Sequence, residues 1–275
     1  MSALQHLLDV TELGDDTWRG PPSGPAGKRA YGGLLVAQSL AAAWRTVDEV
    51  KAPTALHLQF LRGGDAGEAV DYRVARVYDG RTAASRRVDA FQAGRLLTTA
   101  TVSFSAALTG PEHGRARLPV QDPDRLPQTG PPGPAPSLPL DELDIRVTDE
   151  GVGTEDFVRW TWWRTRADLP ADARLHTLIA AYITDLYLID PALQVHGHSM
   201  RSRSHRSGTT DSSMWLHRPV RADRWNLLEC RSPAAARGRG VVSARLISRH
   251  GAVAATLVQE GLIAEREPGT DGPAR

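Results

Sequence analysis

Two stretches of this chain, about 156 residues apart, run through the same succession of elements. The first opens on an Ala-rich helical run, YGGLLVAQSLAAAWRTV (31–47), with strand candidates at 55–61, 69–79, 83–93 and 96–105. The second opens on a helical stripe at 175–189, with strand candidates at 212–219, 225–231, 239–249 and 252–264. HLQFLR (57–62) parallels MWLHRP (214–219), whose Arg218 lies 156 residues after Arg62, and GRLLTTATVSF (94–104) parallels GAVAATLVQEG (251–261). A repeat of this length decides the architecture: a long helix against an antiparallel sheet, made twice, is an α+β fold. Any two α+β halves share some of this by chance, so the repeat is an expectation to be set against coordinates.

Between the halves lies TGPEHGRARLPVQDPDRLPQTGPPGPAPSLPL (109–140). Proline and glycine at this density exclude a packed helix or a central strand and predict an extended linker. The expected division is an N-terminal domain over 1–108, the linker over 109–140, a C-terminal domain over 141–265 and a flexible tail over 266–275.

Two polar residues interrupt apolar patterns. In VAATLVQEGLI (253–263), strand alternation puts Val253, Ala255, Leu257 and Ile263 on one face, and Gln259 is the amide among them. A buried amide without partners costs about 1–3 kcal/mol, so Gln259 faces backbone, a water or a ligand. In LHTLIAAYITDLYLI (175–189), Leu175, Leu178, Ile179, Tyr182, Ile183, Leu186 and Ile189 form an amphipathic stripe. Asp185 falls about 20° from Leu178 around a continuous helix, at the rim of the buried face. A carboxylate there either reaches solvent or must be paired, hydrogen-bonded or protonated. A third candidate is Thr209, in TTDSSMWLHRPV (209–220), whose hydroxyl both donates and accepts. If the second half folds helix on sheet, these three residues meet near the middle of the helix.

The 275 residues are 41% hydrophobic, enough for a full core, and the net charge is +1. There is no basic surplus for nucleic acid or an anionic membrane. Cys230 is the only cysteine, which fits a reducing compartment. The N-terminus lacks a secretory pattern, and no apolar run reaches the length of a membrane span. The expectation is a soluble cytoplasmic protein. Walker A, G-x-S-x-G and G-x-G-x-x-G motifs are absent. His196-Gly-His198 has no obvious third ligand, so no metal site is predicted. The basic run MRSRSHRS (200–207) reads as a solvated loop rather than a phosphate contact. Gly32 and Gly33 open a helix, where backbone N–H groups can hold an anion or an oxyanion, or simply form a turn.

Together these segments resemble the acyl-CoA thioesterase II family, the double-hotdog thioesterases. The resemblance rests on WRG (18–20), YGGLLVAQSL (31–40), HLQFLRGGD (57–65), DGRTAASRRVDAFQAGR (79–95), DLYLIDPALQVHG (185–197), TTDSSMWLHRP (209–219) and LVQEGLI (257–263). It covers about residues 4 to 265. It implies two hotdog domains in one chain, each a helix wrapped by an antiparallel sheet, and hydrolysis of acyl-CoA to free acid and CoA. It also implies a catalytic set of Asp185, Thr209 and Gln259, and no cofactor, since CoA is part of the substrate. Ser212 stands where relatives usually carry His, and Gly63 where they usually carry Pro. Gly32 and Gly33 are then expected to stabilise the oxyanion. Trp215 and the 31–47 helix are expected to line an acyl tunnel between the domains. A homo-oligomer is compatible with hotdog sheet edges and faces. The alternatives are a hotdog acyl-CoA hydratase or dehydratase and a non-catalytic acyl-CoA sensor.

Overall fold

In a computed structural model, residues 2–119, 121–129 and 139–266 are described. The Ala-rich run becomes helix α2 (Gly32–Arg45), preceded by the short α1 (Ala3–Leu8). Every α2 side chain from Leu34 to Trp44 is buried. A helix apolar on all sides belongs inside the core, and small residues such as Ala37 and Ala41–Ala43 let neighbours approach closely. Its one buried amide is satisfied: Gln38 Nε2 donates to the Leu7 carbonyl at 2.6 Å, and Tyr72 Oη donates to Gln38 Oε1 at 2.6 Å. The second stripe forms α3 (Ala173–Thr184), and α4 (Pro191–Gln194) follows it.

Among the described residues, twelve strands join in one antiparallel sheet. They are β1 (Thr11–Gly14), β2 (Thr17–Gly20), β3 (Lys51–Phe60), β4 (Val70–Asp79), β5 (Ala83–Gln92), β6 (Arg95–Ala106), β7 (Leu143–Glu150), β8 (Val158–Thr165), β9 (His205–Leu216), β10 (Asn226–Ala236), β11 (Arg239–Ser248) and β12 (Val253–Glu265). Their order is β1-β2-β4-β5-β6-β3-β9-β12-β11-β10-β8-β7. The halves meet at the β3–β9 pair, where His57 lies opposite Ser213. One apolar cluster runs through both halves and includes α2, α3 and the inner faces of the strands. No helix among the described residues is long and apolar enough to cross a membrane.

The structure differs from expectation in three places. The stripe predicted over 175–189 stops early: Asp185 is the C-cap of α3, and Tyr187 takes a left-handed φ of 56° that no helix continues through. Strands β1, β2, β7 and β8 were not anticipated. The described part of the 109–140 segment carries no α-helix or named strand, but it is tied down rather than free. Arg115 bridges to Ala252, Val253 N–H donates to the Gly114 carbonyl, and Trp225 Nε1 donates to Asp124 at 2.9 Å. Ala116, Leu118 and Leu126 pack against a second cluster containing Trp162 and Trp225. Residues 120 and 130–138 of that segment, and 267–275 of the predicted tail, lie outside the described residues.

The α2 N-terminus meets the end of α3 at contact distance. A Cβ built on Gly33 would lie 2.2 Å from the Tyr182 carbonyl oxygen and 2.6 Å from the Tyr31 ring. Gly33→Ala should therefore cost about 1–3 kcal/mol by forcing the helices apart. Denaturant titration of the variant checks this; wild-type stability would show that the two helix ends separate freely.

Candidate active site

Asp185 is delivered by the termination of α3. As the C-cap it leaves the helix just as the chain reaches the N-terminus of α2, and its carboxylate accepts a hydrogen bond from the backbone N–H of Gly33. That N–H is one of the donors a helix leaves unpaired in its first turn. Gly32 clears the space beside it. A Cβ on Gly32 would lie 2.4 Å from Asp185 Oδ2 and 3.2 Å from the Phe60 ring. Tyr31 fixes the joint, its Oη donating to the Tyr182 carbonyl at 2.8 Å and its ring set edge-on to that of Tyr182 at 5.0 Å.

The sheet supplies the other two residues. Gln259 sits in the middle of β12, opposite Ser212 of β9 and Val242 of β11. It is 1% exposed, as the alternation of β12 requires. Its Nε2 donates to Asp185 Oδ1 at 2.8 Å and to Ser212 Oγ at 3.2 Å. Its Oε1 is buried without a protein partner. Thr209 lies beside the β9 bulge opposite Glu260 and Gly261, and its hydroxyl donates to the same Asp185 Oδ1 at 3.4 Å. That length is well beyond an ordinary O–H···O bond, so the hydroxyl is loosely held. Asp185, Thr209 and Gln259, separated by up to 74 residues in the chain, thus converge on one carboxylate oxygen.

Burial is the largest influence on Asp185 and pushes its pKa up to about 6, against the lowering effect of Gln259, Thr209, Gly33 and the more distant charge of Arg29. The carboxylate is therefore half-protonated near pH 6 and ionised at neutral pH.

The remaining predicted residues fall as follows. Gly32 and Gly33 are at the site, but the Gly33 N–H is engaged by Asp185. Trp215 is elsewhere. It projects from the opposite face of β9 to Ser212 and Met214, is 38% exposed, and stacks edge-on with His57 at 5.1 Å. It is three residues from Ser212, and strand alternation turns it away from the helices. Sequence reasoning did not single out Tyr31 or Phe60, although Tyr31 directly precedes the glycine pair that was noticed. Among the described residues no group of three or more His, Cys, Asp or Glu is arranged to hold a metal ion.

A raised acid pKa is a stability statement. The folded state holds the Asp185 proton more tightly than the unfolded chain, whose carboxyl titrates near 3.8. The stability from this site is fully present below that value and is lost as pH rises through about 6. Asp185→Asn, which cannot ionise, should therefore raise stability at pH 8 by on the order of 2 kcal/mol, below the full linkage because the residue keeps some exposure. It should change little at pH 4. Thermal unfolding at the two pH values measures this, and a variant destabilised equally at both would contradict the burial argument.

Comparisons with known proteins place the chain in a family. The family profile described as acyl-CoA thioesterase N-terminal domain matches residues 20–105, and that described as acyl-CoA thioesterase C-terminal domain matches 119–263. Human acyl-coenzyme A thioesterase 8 is 30% identical over 94% of this chain and 87% of its own length. Acyl-CoA thioesterase 2 of Haemophilus influenzae is 28% identical over 96% of this chain and 97% of its own. The crystal structure of acyl-CoA thioesterase II TesB2 from Mycobacterium marinum superposes with a TM-score of 0.83 at 31% identity, covering 96% of this chain and 99% of that one. A hot dog fold protein from Alicyclobacillus acidocaldarius shares the fold with a TM-score of 0.79 at 19% identity. With both domain profiles and a full-length relative matched, this chain belongs to the acyl-CoA thioesterase II family.

Proposed function

We propose that this protein hydrolyses acyl-CoA to the free acid and CoA, with Asp185 as general base and Thr209 and Gln259 holding the attacking water. The observation that carries this reading is the convergence of Gln259 Nε2 and the Thr209 hydroxyl on one oxygen of a carboxylate whose pKa lies near 6. A base of that strength is ionised at neutral pH yet basic enough to take a proton from water. The buried Gln259 Oε1 supplies a further acceptor for the same water.

The steps follow from those contacts. Water gives a proton to Asp185 while its oxygen attacks the thioester carbonyl carbon. The tetrahedral intermediate collapses, the C–S bond breaks, and CoA leaves as thiolate; the proton on Asp185 passes to that thiolate or to solvent, which restores the carboxylate. No covalent bond to the protein forms. The backbone at the start of α2 stays the nearest source of oxyanion donors, with Gly32 the free member of the pair because Gly33 already serves Asp185. Thioester substrates suit such a site because thiolate needs no strong acid to leave.

We read the chain as two hotdog domains, 1–108 and 141–265, set side by side through β3 and β9. The strand order supports this: outward from that junction each side runs through six strands in matching succession. The site then draws on both domains, α2 from the first and α3, β9 and β12 from the second. The acyl chain is assigned to the space beside α2. Solubility and self-association belong to the same reading.

The test is thiol release from acyl-CoAs of graded chain length, followed with a thiol-reactive dye. The wild type should release thiol with kcat half-maximal near pH 6, falling on the acid side. Asp185→Asn should lower kcat by about 10²–10⁴. Thr209→Ala and Gln259→Ala should each lower it by about 10–10², as misplacement of a reacting water does. Binding without thiol release would make the protein a sensor. A changed acyl chain without free thiol would make it a hydratase.

A further inference from the structure

Ser212 is buried, 4% exposed, on the central strand β9. Its neighbours in register are Gln259 on β12 and Leu58 on β3. The proposal that follows rests on Gln259 being part of the water-holding set. A glutamine amide has two N–H donors on one atom and one acceptor on the other. Here both donors are used: one goes to Asp185 Oδ1 at 2.8 Å, the other to Ser212 Oγ at 3.2 Å. Only Oε1 remains uncommitted, and it is buried.

The ionised Asp185 carboxylate, which can only accept, decides which way the amide faces, and Ser212 Oγ takes the second N–H in that orientation. Turned over, Oε1 would oppose the ionised carboxylate, acceptor against acceptor. That inverted arrangement suits only a protonated Asp185, whose O–H can donate to Oε1. Orientation of the amide and ionisation of the base are therefore coupled. Asp185 alone holds one N–H; without a second acceptor the other N–H is left unpaired in a buried place, which favours rotation of the whole amide.

We propose that Ser212 is a positioning residue that accepts the second N–H of Gln259, fixes the amide with its oxygen toward the attacking water, and thereby keeps Asp185 ionised at working pH. It acts through Gln259 and does not itself touch the reacting atoms.

Removing the hydroxyl should move two quantities together. In Ser212→Ala, kcat should fall about tenfold with KM little changed, the loss expected from one buried hydrogen bond to a committed donor. The acid limb of the kcat–pH profile should move upward by about half a unit to one unit, because Asp185 loses part of its Gln259 bond. Ser212→Thr, which keeps the acceptor, should restore both. In a Gln259→Ala background, adding Ser212→Ala should cost nothing further. Thermal unfolding of each variant separates a packing defect from this effect. A wild-type limb in Ser212→Ala, or a fall in kcat that adds in full to that of Gln259→Ala, overturns the proposal. If Gln259→Ala itself turns over normally, the mechanistic reading beneath it fails instead.

Discussion

The site depends on one close approach: the first turn of α2 against the last turn of α3. Gly33 stands where any side chain would strike the Tyr182 carbonyl, and Gly32 stands where a side chain would strike Asp185 Oδ2. The contact joins a helix N-terminus, with unpaired donors and positive polarity, to a carboxylate leaving the other helix. Neither partner is satisfied alone. Asp185 without the Gly33 N–H would be a buried charge with fewer donors, and α2 begins at Tyr31 with no side-chain cap of its own. The same contact explains why α2 opens on two glycines, Gly32 and Gly33. A bulkier α2 could not come within reach of α3.

The opposite end of the helix pair shows what the same scaffold looks like without a site. There the C-cap of α2 is Thr46, with backbone angles close to those of Asp185 at the C-cap of α3. The strand positions corresponding to Ser212 and Gln259, counted outward from the His57–Ser213 junction, are Leu56 and Val102, both buried. In place of a carboxylate with a free acceptor nearby, a buried arginine fills the region. Arg86 donates to the Thr46 hydroxyl at 2.8 Å, to the Thr46 carbonyl at 2.9 Å and to Asp79 at 2.6 Å. Its donors are consumed by fixed partners, so this end is a structural lock. The two ends thus differ in side chains: Asp185, Ser212 and Gln259 stand at one, Thr46, Leu56 and Val102 at the other.

This also explains what could be read from the sequence and what could not. Gln259 and Asp185 were legible because each breaks a periodic apolar pattern, and a broken pattern is visible without knowing the partner. The end of α3 was not. ITDLYLI continues the apolar stripe past Asp185, and only the left-handed Tyr187 and the buried anchoring of Asp190 turn the chain away. Asp190 accepts from Arg159 at 2.8 Å and from the Met200 N–H at 2.6 Å, contacts made across the fold. Trp215 was named as a tunnel wall because it is a large aromatic, and strand parity places it on the face of β9 opposite to Ser212 and Met214. Strand β8, VRWTWWRT, hid for a related reason: Trp162 and Trp163 are both buried, so its two faces do not alternate. Ser212 stood out only as a departure from the resemblance. Its meaning lies in the β9–β12 register, which sets it opposite Gln259.

The donors around Asp185 limit the reaction it can serve. Its contacts are an amide, a hydroxyl and a backbone N–H, and none of these titrates near neutral pH. Arg29, the cation that acts on it, does so only through its charge. Such a site can take a proton from water, and the acid that its described contacts then offer a leaving group is that same proton on Asp185, with a pKa of about 6. An alkoxide or amine would be expelled poorly under those conditions. A thiol is far more acidic, near 8.5 for a cysteine side chain, so thiolate departs unaided. In the proposed reaction, a carboxylate made basic by desolvation and held, among the described residues, by neutral donors is suited to a bond whose cleavage rests mainly on activation of the nucleophile.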